Sequence, residues 1–415
     1  MARRRVGLDR FLVRYNAQPM KLIVIALHGC PLASLGPYGN EWIATPNLDR
    51  LASESIVFDN HFSDCPEAAA ARRVWRTGMH QPSTESDLLT IVKNRGARSV
   101  LVRNNREATD SPAEFYDGWS ELFDARPDPA DSSPLDSLIR VLPGVLDKLA
   151  TVEDWLLWIE IDRLTPPWVV KQDVFDVYIE DLHETDEGDD DRDPVRPWAD
   201  PPTGWFDKDD LASWELLHRT VASVVTVFDA ELEEVFEVFR SRGLDQSATL
   251  VLTADLGWPL GEHGIVGPFR PWLHRELVQV PLIVRLPNAA EAGRRVMSLT
   301  QPPDLFATFA EWFGKPVAGL SLVPMMSGQV SAIREFAITV QRSTAGEEWA
   351  IRTAEWAYLL PVRMDIEDDP RVPVLFAQPD DPWEVDDSHS RNSDVAEELD
   401  RRLREAASGL STSPR

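Results

Sequence analysis

The chain predicts an α/β protein: a three-layer α/β/α domain around a mostly parallel sheet, followed by a small α+β subdomain. Three observations carry this. Leu22-Ile23-Val24-Ile25-Ala26-Leu27 is a β-branched run without polar alternation, the pattern of a parallel strand buried on both faces. Helical patterns alternate with further runs of this kind, as βαβ units require. After about residue 328 the spacing changes to short strands close together, the pattern of a separate antiparallel sheet.

The elements follow in order. The first strand ends in His28-Gly29, at the carboxyl edge where ligands sit in open α/β sheets. Thr45 reads as the N-cap of a helix beginning at Pro46. Ile56 to Phe58 is a short strand, Ser86 to Lys93 a helix, and Ser99 to Val102 a second parallel strand. Trp155 to Ile161 is another buried strand. From Lys171 to Asp210 apolar periodicity is lost in an acidic excursion. Its run Asp186 to Asp193 lacks the alternate-residue ligand spacing of an EF-hand loop and reads as a solvated segment. Leu211 to Arg242 is the longest helical pattern, with Val221, Val224, Val225, Phe228, Leu232, Val235, Phe236 and Phe239 on one face and Gly243 beyond its end. Strands follow at Thr249 to Thr253 and Leu282 to Arg285, and a helix from Asp304 to Phe313. Phe336 to Gln341, Trp349 to Thr353 and Trp356 to Leu360 form the last sheet, and Val395 to Ala407 the last helix. The division is residues 20–328 and 329–408, with arms 1–19 and 409–415.

Composition bounds the partners. The 415 residues carry 69 acidic and 42 basic side chains, a net charge of −27. Such a chain repels nucleic acid and anionic membrane, both polyanions. No window reaches the roughly 18 apolar residues of a membrane span. Asp9, Arg10, Arg14, Asn16 and Pro19 interrupt the segment after the basic Met1 to Arg5, so a cytoplasmic protein is expected. Cys30 and Cys65 make no disulfide framework and read as structural thiols. Trp198, Trp205 and Trp214 flank the acidic excursion and read as packing residues.

Several ordered stretches resemble one family. Tyr38-Gly39-Asn40 precedes Thr45-Pro46-Asn47-Leu48-Asp49-Arg50-Leu51-Ala52. Arg72 and Thr77-Gly78, then Phe228-Asp229-Ala230, follow. Thr253-Ala254-Asp255-Leu256-Gly257, Leu260-Gly261-Glu262-His263-Gly264 and Val280-Pro281-Leu282-Ile283-Val284-Arg285 complete the series, with Arg352-Thr353 to Tyr358 beyond it. Together these resemble the sulfatase family of the alkaline-phosphatase-like superfamily over residues about 21 to 390. The resemblance implies an α/β/α hydrolase fold. It also implies sulfuric-ester hydrolysis by a formylglycine made from Cys or Ser, beside a divalent cation, commonly calcium, held by hard oxygen ligands.

Carried over residue by residue, that resemblance implies mostly replaced chemistry. The metal-binding Asp pair falls on His28-Gly29, the nucleophile on Ala68, and the rest of its motif on Ala70, Ala71 and Arg72. The family's lysine and histidine after the second strand fall near Asn104 and Arg106, another histidine on Leu164, and the late lysine on Arg270. Asp255 stands as a vestigial metal ligand beside Leu256. Cys65 cannot substitute for the nucleophile, because Glu67 and Ala69 stand where the converting enzyme needs Pro and Arg. His28, Asp255 and His274 are the candidates for a changed metal site, and His263 is a fold marker. Neither calcium nor formylglycine is therefore expected.

Arg72, Arg73, Arg76, Arg103, Arg106 and Arg270 are expected to gather around the old pocket. With His28, the set Arg72, Arg106 and Arg270 is the candidate anion-binding site, since arginine forks suit oxyanions. The expected function is that of a catalytically inactive sulfatase homologue, a pseudoenzyme, binding an anionic small molecule or a protein partner. The alternatives are an active sulfuric- or phosphoric-ester hydrolase with an atypical site, and a subunit paired with an active paralogue.

Overall fold

A computed structural model of the chain describes residues 19–79, 87–104, 113–126, 128, 133, 135–179, 195–269, 271–364 and 371–410. Its centre is an eight-stranded sheet. In chain order the strands are β1 (Lys21–Leu27), β2 (Ile56–His61), β3 (Arg98–Arg103), β4 (Glu121–Asp124), β5 (Trp155–Ile161), β7 (Thr249–Ala254), β9 (Leu282–Arg285) and β10 (Arg294–Thr300). A two-residue ribbon, β6 (Gly204–Trp205) with β8 (Ile265–Val266), lies outside it. Across the sheet the order is β10-β2-β9-β7-β1-β5-β3-β4. Every pairing is parallel except those of β9, which runs antiparallel to both β2 and β7. The sheet is thus mostly parallel, and its central strands β1, β5 and β7 are buried on both faces, as their unbroken apolar runs require.

Two cores cover the two faces. On one, Ile23, Ile25, Leu157 and Ile159 meet Val221, Val225, Phe228 and Leu232 of the helix Leu211–Arg240 and Leu138, Leu142 and Val145 of the helix Asp136–Leu149. On the other, Leu22, Val24, Leu156 and Trp158 meet Trp75 of the helix Ala68–Thr77, Ile91 of Leu88–Asn94, and Phe306 and Phe309 of Pro302–Trp312. Strands β4 and β10 are additions to the expected set; their sequences mix polar and apolar residues without regular alternation, and they sit at the two sheet edges.

The helix Pro46–Ser53 starts where expected but is capped differently. The Thr45 hydroxyl accepts the Gly36 amide instead. The orphan amides of Asn47 and Leu48 donate to the two carboxylate oxygens of Asp229, at 3.0 and 2.8 Å, from the middle of the long helix.

The second unit is an antiparallel sheet, β11 (Ala337–Ser343), β12 (Gly346–Arg352), β13 (Trp356–Met364) and β14 (Val374–Ala377), covered on one face by the helix Ser393–Leu410. Its other face packs Ala337, Ala350, Ala357 and Leu359 against Phe62, Leu273 and Leu277 of the large domain. No helix among the described residues is long and apolar enough to cross a membrane. The acidic run Asp186 to Asp193 lies outside the described residues.

Candidate functional site

Three neighbouring strands and one helix deliver the site. β1 ends at Leu27 and presents His28 and Gly29; β7, its neighbour, ends at Ala254 and presents Asp255. On the other side of β1, Glu160 of β5 is in register with Ala26. Glu160 shares a strand face with Trp158, which lies in the core beneath the helix Ala68–Thr77. Arg72 stands one turn after Ala68 in that helix and lies over Glu160 and Asp255. Gly78 ends the helix in the left-handed conformation, at φ 70°, and any Cβ there would lie 2.5 Å from the Phe306 ring.

These residues form one closed charge network. Arg72 Nε donates to Glu160 Oε1 at 2.6 Å, and its Nη1 donates both to Asp255 Oδ2 at 3.0 Å and to the Ala68 carbonyl at 3.1 Å. His28 Nδ1 lies 2.7 Å from the same Asp255 Oδ2, and the Gly29 amide donates to Asp255 Oδ1 at 2.9 Å. Tyr116 donates to Glu160 Oε2 at 2.9 Å. Both Asp255 oxygens are therefore occupied by donors from the chain. Burial works against ionised Asp255, but the His28 charge and hydrogen bond, Arg72 and the Gly29 amide together hold its carboxyl below the usual range. Burial likewise disfavours protonated His28, yet Asp255 and then Asp162 outweigh it and push the imidazole up to about 9.

The chain matches the sulfatase family model over residues 23–315, well over half its length. It belongs to the sulfatase family. Curated relatives match over short segments. The N-acetylglucosamine-6-O-sulfatase of Bacteroides thetaiotaomicron is 26% identical over 125 residues, 29% of this chain and 22% of that protein. An arylsulfatase of Clostridium perfringens is 47% identical over 49 residues, 12% of this chain and 10% of that protein. The chain thus spans less than a quarter of the length of either relative. Among solved structures, the phosphonate monoester hydrolase of Agrobacterium radiobacter superimposes with a TM-score of 0.69 at 16% identity, covering 94% of this chain and 96% of that one. A protein solved with its substrate D-glucosamine-2-N,6-O-disulfate gives 0.69 at 16%, covering 95% and 98%. At such identities the likeness concerns the fold.

Within this sulfatase fold, the residues singled out in the sequence have separate fates. His28, Ala68, Arg72 and Asp255 converge. Ala68, Ala70 and Ala71 are buried against neighbouring side chains. Gly29 has φ 58°, and a Cβ there would lie 2.5 Å from Thr165 and 2.9 Å from Trp258, so the position is shaped for glycine. Asn104 pairs with the main chain of Asp162, and Leu164 is buried in the core.

Among the described residues, three of the arginines expected to gather here each meet a different carboxylate. Arg72 spends its fork on Glu160 and Asp255, Arg76 binds Asp87, and Arg103 binds Asp124 over the Tyr116 ring. The physical reason is the surplus of carboxylates, which draw each guanidinium to a different partner. Arg106 and Arg270 lie outside the described residues.

His274 joins a different group. Its ring stacks on His263 at 3.8 Å and its Nδ1 lies 3.1 Å from Glu384 Oε2, while His263 Nδ1 lies 2.7 Å from Glu276. Ligand atoms of His263, His274 and Glu276 lie within 4.8 Å of one another, but the rings are 18° from parallel, and stacked imidazoles cannot aim in-plane lone pairs at one ion.

Cys30 and Cys65 are unpaired, and burial pushes both thiols up. Trp198 packs on the core, Trp205 meets Trp272 edge-on, and Trp214 stacks on His218.

Glu160 and Tyr116 were not singled out from sequence. The signal for Glu160 was present: it is the one charged residue in the otherwise apolar strand Trp155–Ile161. A buried charge of that kind needs a partner.

Proposed function

We propose that this chain is a catalytically inactive member of the sulfatase family that works by binding an anionic ligand or a protein partner. The observation that carries the reading is the saturation of Asp255 by His28, Gly29 and Arg72. A calcium site needs several oxygen ligands with free lone pairs. Here the family's Asp pair is an imidazole and a glycine, and the remaining carboxylate is held by donors and two positive charges. The residues do not fit a divalent cation, and a protein-borne imidazolium and guanidinium stand in its place. Formylglycine does not fit either, since Ala68 carries no atom to oxidise and no nucleophile can be presented there. The reading places the protein in the cytoplasm, where Cys30 and Cys65 remain reduced thiols.

The test is turnover of aryl sulfate and aryl phosphate by the purified chain, with calcium, with zinc and with chelator, beside a measurement of bound metal. No turnover above buffer and no stoichiometric metal are expected. Turnover that disappears in Asp255→Ala would replace this reading by that of a hydrolase with an atypical site.

A further inference from the structure

At the seam between the two units, Arg275 has no carboxylate of its own among the described residues. Arg275 lies in the single turn Arg275–Val278 of the large domain, and Arg352 ends β12 of the small one. Both guanidinium carbons lie over the buried Phe62 ring, at 6.0 and 5.1 Å from its centroid. One carboxylate serves both residues. Glu384 takes Arg352 Nη2 at 2.8 Å on Oε1 and the Arg275 main-chain amide at 3.1 Å on Oε2. Its charge is thus used by Arg352, and Arg275 receives only neutral partners. Nε meets the Gln279 amide oxygen, and Nη1 and Nη2 reach Gln378 Oε1 and Asn60 Oδ1 at 3.4 Å each, long for hydrogen bonds.

Among the described residues no carboxylate lies within ion-pair distance of the Arg275 guanidinium. The fields of Glu384 and then Asp59 reach it, but Glu384 pairs with Arg352 and Asp59 with Arg295. Arg352, 3% exposed, leaves Nη1 without a partner as well. A half-buried fork with two loosely held ends, beside a second guanidinium with one unpartnered nitrogen, presents donors suited to an oxyanion.

These groups line a groove of about 1090 Å³ between the units. We infer that this groove binds a compact oxyanion, either free or as the end group of a small molecule, through the Nη1 and Nη2 atoms of Arg275 with Asn60 and Gln378 turned to donate their amide groups. Glu335, Glu355 and Asp394 along the same groove oppose a polyanionic chain and favour a ligand with one charged end. The inference deepens the binding role proposed above, on which it rests for the ligand's significance. The site itself is independent of the pocket at His28.

Titration calorimetry of the full chain with sulfate, phosphate, acetate and benzoate, against chloride at matched ionic strength, tests this. Saturable binding of one ion per chain is expected, and tighter binding of benzoate than of acetate identifies an organic end group over a free ion. Arg275→Gln should weaken binding by about tenfold or more, and Arg275→Lys, which keeps charge but not the fork, by less. Asn60→Asp supplies a built-in counter-ion. It should abolish binding while raising the unfolding midpoint, which keeps the test valid if Arg275→Gln folds poorly. Arg391→Gln, at an exposed arginine paired with Asp386, should leave the affinity unchanged. No saturable binding below tens of millimolar, or equal binding in wild type and Arg275→Gln, overturns the site and leaves the inactive reading standing. Ester turnover overturns that reading whatever the anion affinity.

Discussion

Arg72 is buried and fully engaged by the chain itself. Its guanidinium neutralises two buried carboxylates, Glu160 and Asp255, and ties both to the Ala68 carbonyl. Removing one partner of such a network leaves the others charged and buried, a loss of about 3–5 kcal/mol. Arg72→Ala is therefore expected to destabilise the chain by that order in urea unfolding, with a smaller loss for the double variant Arg72→Met, Glu160→Met, which removes the pair together. A loss under about 1 kcal/mol for the single variant would mean the network carries little of the fold's stability. Gly29 gives a second test. Gly29→Asp adds a carboxylate beside Asp255, but against φ 58° and Cβ contacts of 2.5 and 2.9 Å to Thr165 and Trp258. It should destabilise rather than create a metal site, so added calcium should not raise the unfolding midpoint of the variant.

At the scale of elements, Asp229 shows how a motif residue acts as scaffold. It accepts the amides of Asn47 and Leu48 and the Asn47 side chain, and so joins the start of Pro46–Ser53 to the long helix. Asp229→Ala removes a cap made by a distant residue and should cost about 1–2 kcal/mol in chemical denaturation. Thr45→Ala should cost less, through its bond to Gly36 alone.

The same element shows what was legible in the sequence. Composition placed the helix start correctly at Pro46, because proline at the first turn and a polar residue before it are local signals. The identity of the cap was not legible, because Asp229 is 182 residues from Asn47. The central strands were legible from their unbroken apolar runs; β4 and β10 were not, since edge strands carry mixed polarity. At the site, Leu27 followed by His28-Gly29 was legible as the strand end, because the apolar run stops there. The pairing of Arg72 with Glu160 was hidden, because residue type gives no account of which acid a guanidinium meets in a chain with 27 more acidic than basic side chains. That surplus also gives Arg72, Arg76 and Arg103 a separate carboxylate partner each.

At the scale of the molecule, Glu384 joins the two units. It follows β14, adopts φ 55°, and its carboxylate holds Arg352 Nη2, His274 Nδ1 and the Arg275 amide. Burial alone would raise its pKa; the Arg352 charge and the His274 and Arg352 hydrogen bonds reverse this and hold the carboxyl at about 2, against an ordinary 4.5. A depressed folded-state pKa contributes stability above the unfolded value, and the contribution is lost as pH falls towards the folded one. Glu384 should thus stabilise the chain fully above about pH 4.5 and progressively less down to pH 2, by about 3 kcal/mol in all. Other carboxylates titrate in the same range, so the decisive quantity is the difference between wild type and Glu384→Gln. That variant keeps the side chain's size and removes its charge. Its deficit in urea unfolding should be largest at pH 5 to 7 and shrink as pH falls from about 4.5 towards 2, because wild-type Glu384 then loses the same charge. A deficit that stays constant across that window would mean the seam is held by the shape and hydrogen bonds of the side chain.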